Sequence, residues 1–147
     1  MTRRQFNSLI GLLALLLLDG FFVFSKLYLS HKWFDIPLHY FGGFFTAMLL
    51  LDYLELGGYR RRFKQIFILS SAVIFVGVFW EFFEFIMAGL FNEQARAYLG
   101  DSRISLIGDL DDTIFDLALD FLGAFTYSLV GLSRVKPNLF SESAKRP

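Results

Sequence analysis

Five aspartates crowd a stretch that is otherwise apolar enough to lie in a membrane. Between Ile104 and Gly131 the chain reads ISLIGDLDDTIFDLALDFLGAFTYSLVG, with Asp109, Asp111, Asp112, Asp116 and Asp120. Wound as a helix, Asp109, Asp112, Asp116 and Asp120 fall at about 0°, 300°, 340° and 20°, one stripe roughly 80° wide, with Asp111 near 200°. In a bilayer each ionised carboxylate costs several kcal/mol unless it is paired, protonated or bound to a cation. Two further acids stand in the segment WEFFE, where Glu81 and Glu84 are three residues apart and so share one side of a helix. His39 opens another apolar run, with Thr46 within about 20° of it around a helix. Asp19 interrupts the first apolar run, and an acid at such a position is read as functional by default.

Such a cluster has three chemical outlets. The acids can share protons, because like charges at close quarters raise one another's affinity for them. Water can fill a cavity between the helices. A divalent cation can bind, through oxygen alone for magnesium, manganese or calcium, or with His39 joining carboxylates for zinc, iron or manganese. The metal ligands expected are Glu81, Glu84, Asp112 and Asp116. His39, Glu81 and Asp120 are the expected catalytic groups, with His39 a ligand or proton shuttle and Asp120 a third carboxylate or a support for the others. Asp19 and Asp109 complete the polar cluster, although Asp109 also suits a helix cap, and Asp111 suits the water-exposed first turn.

With a metal, hydrolysis or group transfer at a phosphoryl or acyl bond is the natural chemistry. A membrane lipid, an anionic lipid or an envelope precursor is the fitting substrate. A cation or proton conductor is a second reading, and a non-enzymatic scaffold or accessory protein, whose acids fix helix register, is a third. Conduction needs the acidic stripe to continue, yet 121–132 offers only Thr126, Tyr127 and Ser128. No glycine-rich phosphate loop, HExxH or CxxC is present, and no basic aromatic surface suggests nucleic acid.

The elements that position these groups follow from composition. Of 147 residues 55% are hydrophobic, 20 are Phe and only 19% are charged, which is short of charge for a soluble domain. The chain has no cysteine, which excludes disulfides and thiolate chemistry. The reading is an all-α polytopic membrane helical bundle with four transmembrane helices over about 8–29, 36–56, 66–91 and 105–131, followed by a polar cytoplasmic tail at 136–147. Two arginines before a leucine run resemble a signal peptide, but no small-x-small cleavage site follows, so an uncleaved first span is expected. Asp35 is read as the cap of the second helix, with Pro37 in its first turn. Gly42 and Gly43 let another helix approach. Asp52 and Glu55 are expected to pair with Arg60, Arg61, Arg62 or Lys64. Four spans place ten basic residues on the side of the termini and four (Lys26, Lys32, Arg96, Arg103) on the other. By the positive-inside rule both termini are cytoplasmic in a plasma membrane, and the acids face outward.

His39 with Gly42 and Gly43, then Trp80-Glu81-x-x-Glu84, then Gly108-Asp109, Asp112-Thr113-Ile114-x-Asp116 and Asp120-x-x-Gly123 resemble the YjdF-like membrane proteins and, more distantly, the VanZ-like proteins. In the VanZ-like pattern an asparagine precedes the last glycine, where this chain has Asp120. The resemblance covers roughly 36–130. It implies an integral membrane protein and a role in the cell envelope, and it implies no particular reaction.

Overall fold

Each helix starts and stops at a recognisable local signal. The computed structural model describes residues 1–25, 32–54, 56, 62–100 and 108–133. Helix α1 (Arg3–Phe24) opens on a reciprocal cap. The Gln5 N–H donates to Thr2 Oγ1 at 3.1 Å, and the Thr2 N–H donates to Gln5 Oε1 at 2.8 Å, so two orphan donors are satisfied. After a 3-10 turn at Lys32–Phe34 comes α2 (Asp35–Tyr53). Its cap position is Phe34, with no side-chain cap bond, so Asp35 is the first residue of the helix and not its cap. Helix α3 (Arg62–Leu99) is 38 residues long and stops at Gly100, whose φ of 75° is the left-handed conformation that glycine adopts without strain. Helix α4 (Leu110–Ser133) starts under Asp109, which accepts the Asp112 N–H at 3.0 Å.

The helices run up, down, up and down. Arg4 Nη1 lies 2.7 Å from Asp52 Oδ1, and the Phe45 ring covers Gly11, which sets α1 antiparallel to α2. Thr2 Oγ1 donates to the other oxygen of Asp52 at 2.8 Å. Asp52 therefore pairs with the first turn of α1. Glu55, Arg60 and Arg61 lie outside the described residues. Helix α2 packs on all three other long helices, whereas α1 packs extensively only on α2.

Small residues make the α2–α4 seam close. A Cβ at Gly43 would strike the backbone carbonyl of Asp120, and one at Gly123 would strike that of Tyr40. Beyond this crossing, Ala47, Leu51, Leu69, Val73, Ala124 and Tyr127 form the buried core. Glycine and alanine at a helix crossing are the packing device of membrane bundles, where van der Waals fit replaces the hydrophobic effect. Buried Ser8 and Ser128 donate to carbonyls of their own helices at 2.9 and 2.7 Å, so neither needs water.

The outside of the bundle is apolar. Leu17, Phe67, Phe75, Phe79 and Leu129 are all more than half exposed, a surface that suits lipid and would be an aggregation liability in water. Among the described residues, three helices are long and apolar enough to cross a membrane, over Arg3–Phe22, Arg62–Tyr98 and Leu110–Gly131. Of the four expected spans, three meet this measure of length and composition. Helix α2 falls short because Asp35, Pro37, His39 and Asp52 dilute its 19 residues. The helices also begin and end elsewhere than expected: α1 starts earlier than 8, α3 extends past both ends of 66–91, and α4 starts later than 105. The tail at 136–147 and the segment 26–31 with its Lys26 lie outside the described residues, as does Arg103.

Candidate functional site

His39 is the centre of the polar cluster. It sits one turn inside α2 and is only 5% exposed. Its two ring nitrogens face different carboxylates. On one edge, Nε2 lies 3.6 Å from Asp35 Oδ1 and 3.8 Å from Asp116 Oδ2. On the other, Nδ1 lies 3.8 Å from Asp120 Oδ1. Asp35 precedes His39 by one helical turn, which puts both on one face of α2. Asp116 and Asp120 are likewise one turn apart on α4, and both are buried.

Asp120 is held in place by missing side chains. Its Oδ2 occupies the space a Cβ would take at Gly77 of α3, its Oδ1 lies 3.7 Å from the Cβ position of Gly42, and its backbone abuts Gly43. Two glycines from two helices, Gly42 and Gly77, thus flank the carboxylate, and a third, Gly43, seats its backbone. A carboxylate fixed against one nitrogen of an imidazole orients the ring and frees the other nitrogen for a ligand. Here that free nitrogen is Nε2, facing Asp35 and Asp116.

From α3, Glu81 and Glu84 approach the same histidine. One ligand atom from each of Asp35, His39 and Asp116 can lie within 4.8 Å of the others, and so can one from each of His39, Glu81 and Glu84. Glu81 Oε1 is buried and accepts no hydrogen bond from any described residue. A buried acceptor without a donor is costly, and a cation would satisfy it. The donor set, imidazole with carboxylates, suits zinc, iron or manganese.

Two cavities meet at this cluster. The first, about 470 Å³, runs along α1 and reaches His39, Asp120 and Glu84. The second, about 590 Å³, reaches Glu81, Glu84 and Asp116 and extends between the C-terminal part of α3 and the start of α4. Asp19, Asp35, Trp80 and Glu84 line both. Thr46, expected on the His39 face, also lines the first.

Of the residues singled out in the sequence, His39, Glu81, Glu84, Asp116 and Asp120 come together, and Asp19 stands beside them as a half-buried wall of both cavities. Asp112 and Asp109 do not join the candidate ligand groups. Asp112 is exposed at the rim of the second cavity, because it sits in the first turn of α4, a full turn above Asp116. Asp109 is exposed and caps α4. Asp111 is exposed in the first turn, as expected. The residue missed is Asp35, whose place at a helix start suggested a cap; its spacing of four from His39 was the available signal. Gly77 was missed as well, since nothing in sequence says which side chain fills a glycine's space. At the rim, Arg96 pairs with Glu93 at 2.9 Å.

A scan of protein families matches residues 3–137 to the family described as "Predicted membrane protein (DUF2238)". The chain belongs to this family. The match takes in the four long helices among the described residues and every residue of the His39 cluster. Comparison with curated proteins and with solved structures found no match. The membership establishes a membrane protein with several candidate spans.

Proposed function

We propose that the protein binds a divalent cation at His39 and acts as a hydrolase or transferase on a lipid or envelope precursor. The observation that carries this is His39 flanked by carboxylates from three helices, with a buried Glu81 oxygen that has no hydrogen-bond donor among the described residues. Asp35, His39, Glu81, Glu84 and Asp116 are the ligand candidates, and Asp120 positions the imidazole. A bound cation would polarise a phosphoryl or acyl oxygen and make its water acidic. A carboxylate left outside the coordination shell would then move the proton, with Glu84 and Asp19 placed to do so because both line the two cavities.

Helix α2 is read as a fourth span. It lies parallel to α4 and antiparallel to α1 and α3, and its 19 residues rise about 28 Å, close to the thickness of a hydrocarbon core of about 30 Å. With four spans, the distribution of basic residues favours cytoplasmic termini and an outward-facing cluster in a plasma membrane. The YjdF-like and distant VanZ-like resemblance favours a role in the envelope. Conduction is the weaker reading, because the core around Ala47, Leu51, Leu69 and Ala124 closes the bundle beyond Asp120.

The test is the metal content of protein purified without added cations, beside a Glu84→Gln, Asp116→Asn double variant. Stoichiometric metal in the parent and its loss in the variant support the site. Metal near zero in both, or equal and stoichiometric in both, overturns it.

A further inference from the structure

The first cavity has the shape of a slot for a hydrocarbon chain. Its α1 wall runs from Leu9 to Asp19, ten residues or about 15 Å of helix, which is half of a hydrocarbon core about 30 Å thick. The slot therefore has the depth of one leaflet. Its walls are leucines of α1 on one side and Val73 and Val76 of α3 on the other. Gly42, Gly43 and Gly77 line it too, and the absence of their side chains adds width. Both α1 and α3 are candidate spans, so the slot lies at membrane depth. Since α1 packs extensively only on α2, its contact with α3 across the slot is slight, and a chain can enter from the side.

At one end the character changes. The slot finishes on Asp19, Asp35, His39, Glu84 and Asp120, and there it meets the second, more polar cavity. An apolar channel one leaflet long that ends on a polar cluster matches an amphiphile whose tail lies in lipid and whose polar group lies at the cluster. Its volume of about 470 Å³ falls among those of small-ligand sites, roughly 300 to 1,000 Å³.

We infer that the α1–α3 slot receives one hydrocarbon chain of a membrane lipid and delivers the lipid's polar group to the His39 cluster. The inference rests on reading that cluster as the functional site. It makes the ligand a membrane lipid, and it makes Val76 and the leucines of α1 the residues that set chain fit.

The experiment uses the full chain in phosphatidylcholine nanodiscs doped with phosphatidylglycerol carrying a diazirine on one acyl chain. After irradiation, labelled peptides are mapped by mass spectrometry, and bound metal is measured on the same samples. Val76→Trp and, separately, Leu12→Trp fill the slot, while Leu17→Trp, 66% exposed on the other face of α1, leaves it open. Labelling should concentrate on 9–16 and 73–77, fall roughly tenfold in either slot variant, and persist in Leu17→Trp, with metal content unchanged throughout. Labelling spread evenly over the outer faces, or insensitive to both slot variants, overturns the inference. Slot labelling in a protein that holds no metal keeps the chain site and refutes the cation instead, so the two failures are distinct.

Discussion

Gly42 and Gly43 are neighbours on one helix, and the geometry assigns them opposite responses to the same substitution. At Gly42 a new Cβ would lie 3.7 Å from Asp120 Oδ1, an ordinary van der Waals distance. At Gly43 it would strike the carbonyl group of Asp120, a backbone atom that cannot swing aside. Gly42→Ala should gain the usual helix preference of alanine over glycine, about 0.5 to 1 kcal/mol. Gly43→Ala gains the same amount but must force α2 and α4 apart, and overpacking of this kind costs about 1 to 3 kcal/mol or more. The two variants should therefore differ by about 1 to 3 kcal/mol, a factor of roughly 5 to 150 in the folding equilibrium. Reversible unfolding of detergent-solubilised protein by SDS, followed by circular dichroism, measures this difference. Equal stabilities for the two variants would refute the close α2–α4 crossing and, with it, the placement of Asp120 against His39.

Three further outcomes separate structural roles from functional ones. Asp109→Ala should cost about 1 kcal/mol of stability through the lost α4 cap while metal content stays at the parent level; a loss of metal would add Asp109 to the ligand set. Asp120→Asn should keep the fold and weaken metal binding about 10- to 100-fold, the usual penalty for removing the group that orients a ligating histidine, as measured by competition with a chelating dye. A double-mutant cycle on Arg4→Ala and Asp52→Ala should give a coupling of about 0.2 to 1 kcal/mol, because the pair is partly open to solvent; a value near zero would mean that the contact does not tether α1.

The membrane class, the helical architecture and most of the His39 cluster were legible in the sequence because they rest on residue type and helical period. Four carboxylates on one stripe of an apolar helix, and two more in WEFFE, needed only the 100° rotation per residue to be recognised as shared faces. Depth along that stripe was not legible. Asp109, Asp112 and Asp116 lie at similar angles, but only the start of α4 decides that the first two stand at its open end. Asp35 was hidden by its position, since a helix-start aspartate serves equally as a cap or as an inward-facing acid, and only the cap geometry at Phe34 tells which. The pairing of Asp52 with Arg4 joins residues 48 positions apart, and nearby basic residues in sequence pointed elsewhere. In helix α2 the polar residues of the cluster, Asp35 and His39, also lower the apolar character of the helix that carries them.

Helix α3 rises about 57 Å over its 38 residues, nearly twice the thickness of the hydrocarbon layer. Part of it must therefore stand in headgroups or water, and residues of its C-terminal stretch, Phe91, Gln94 and Tyr98, line the second cavity. The face of the membrane at which this C-terminal stretch emerges is the face from which the second cavity is reached. Because the chain has no cysteine of its own, a lone thiol introduced at exposed Glu93 and probed with a membrane-impermeant maleimide reports, from one labelling pattern, which face of the membrane supplies the site.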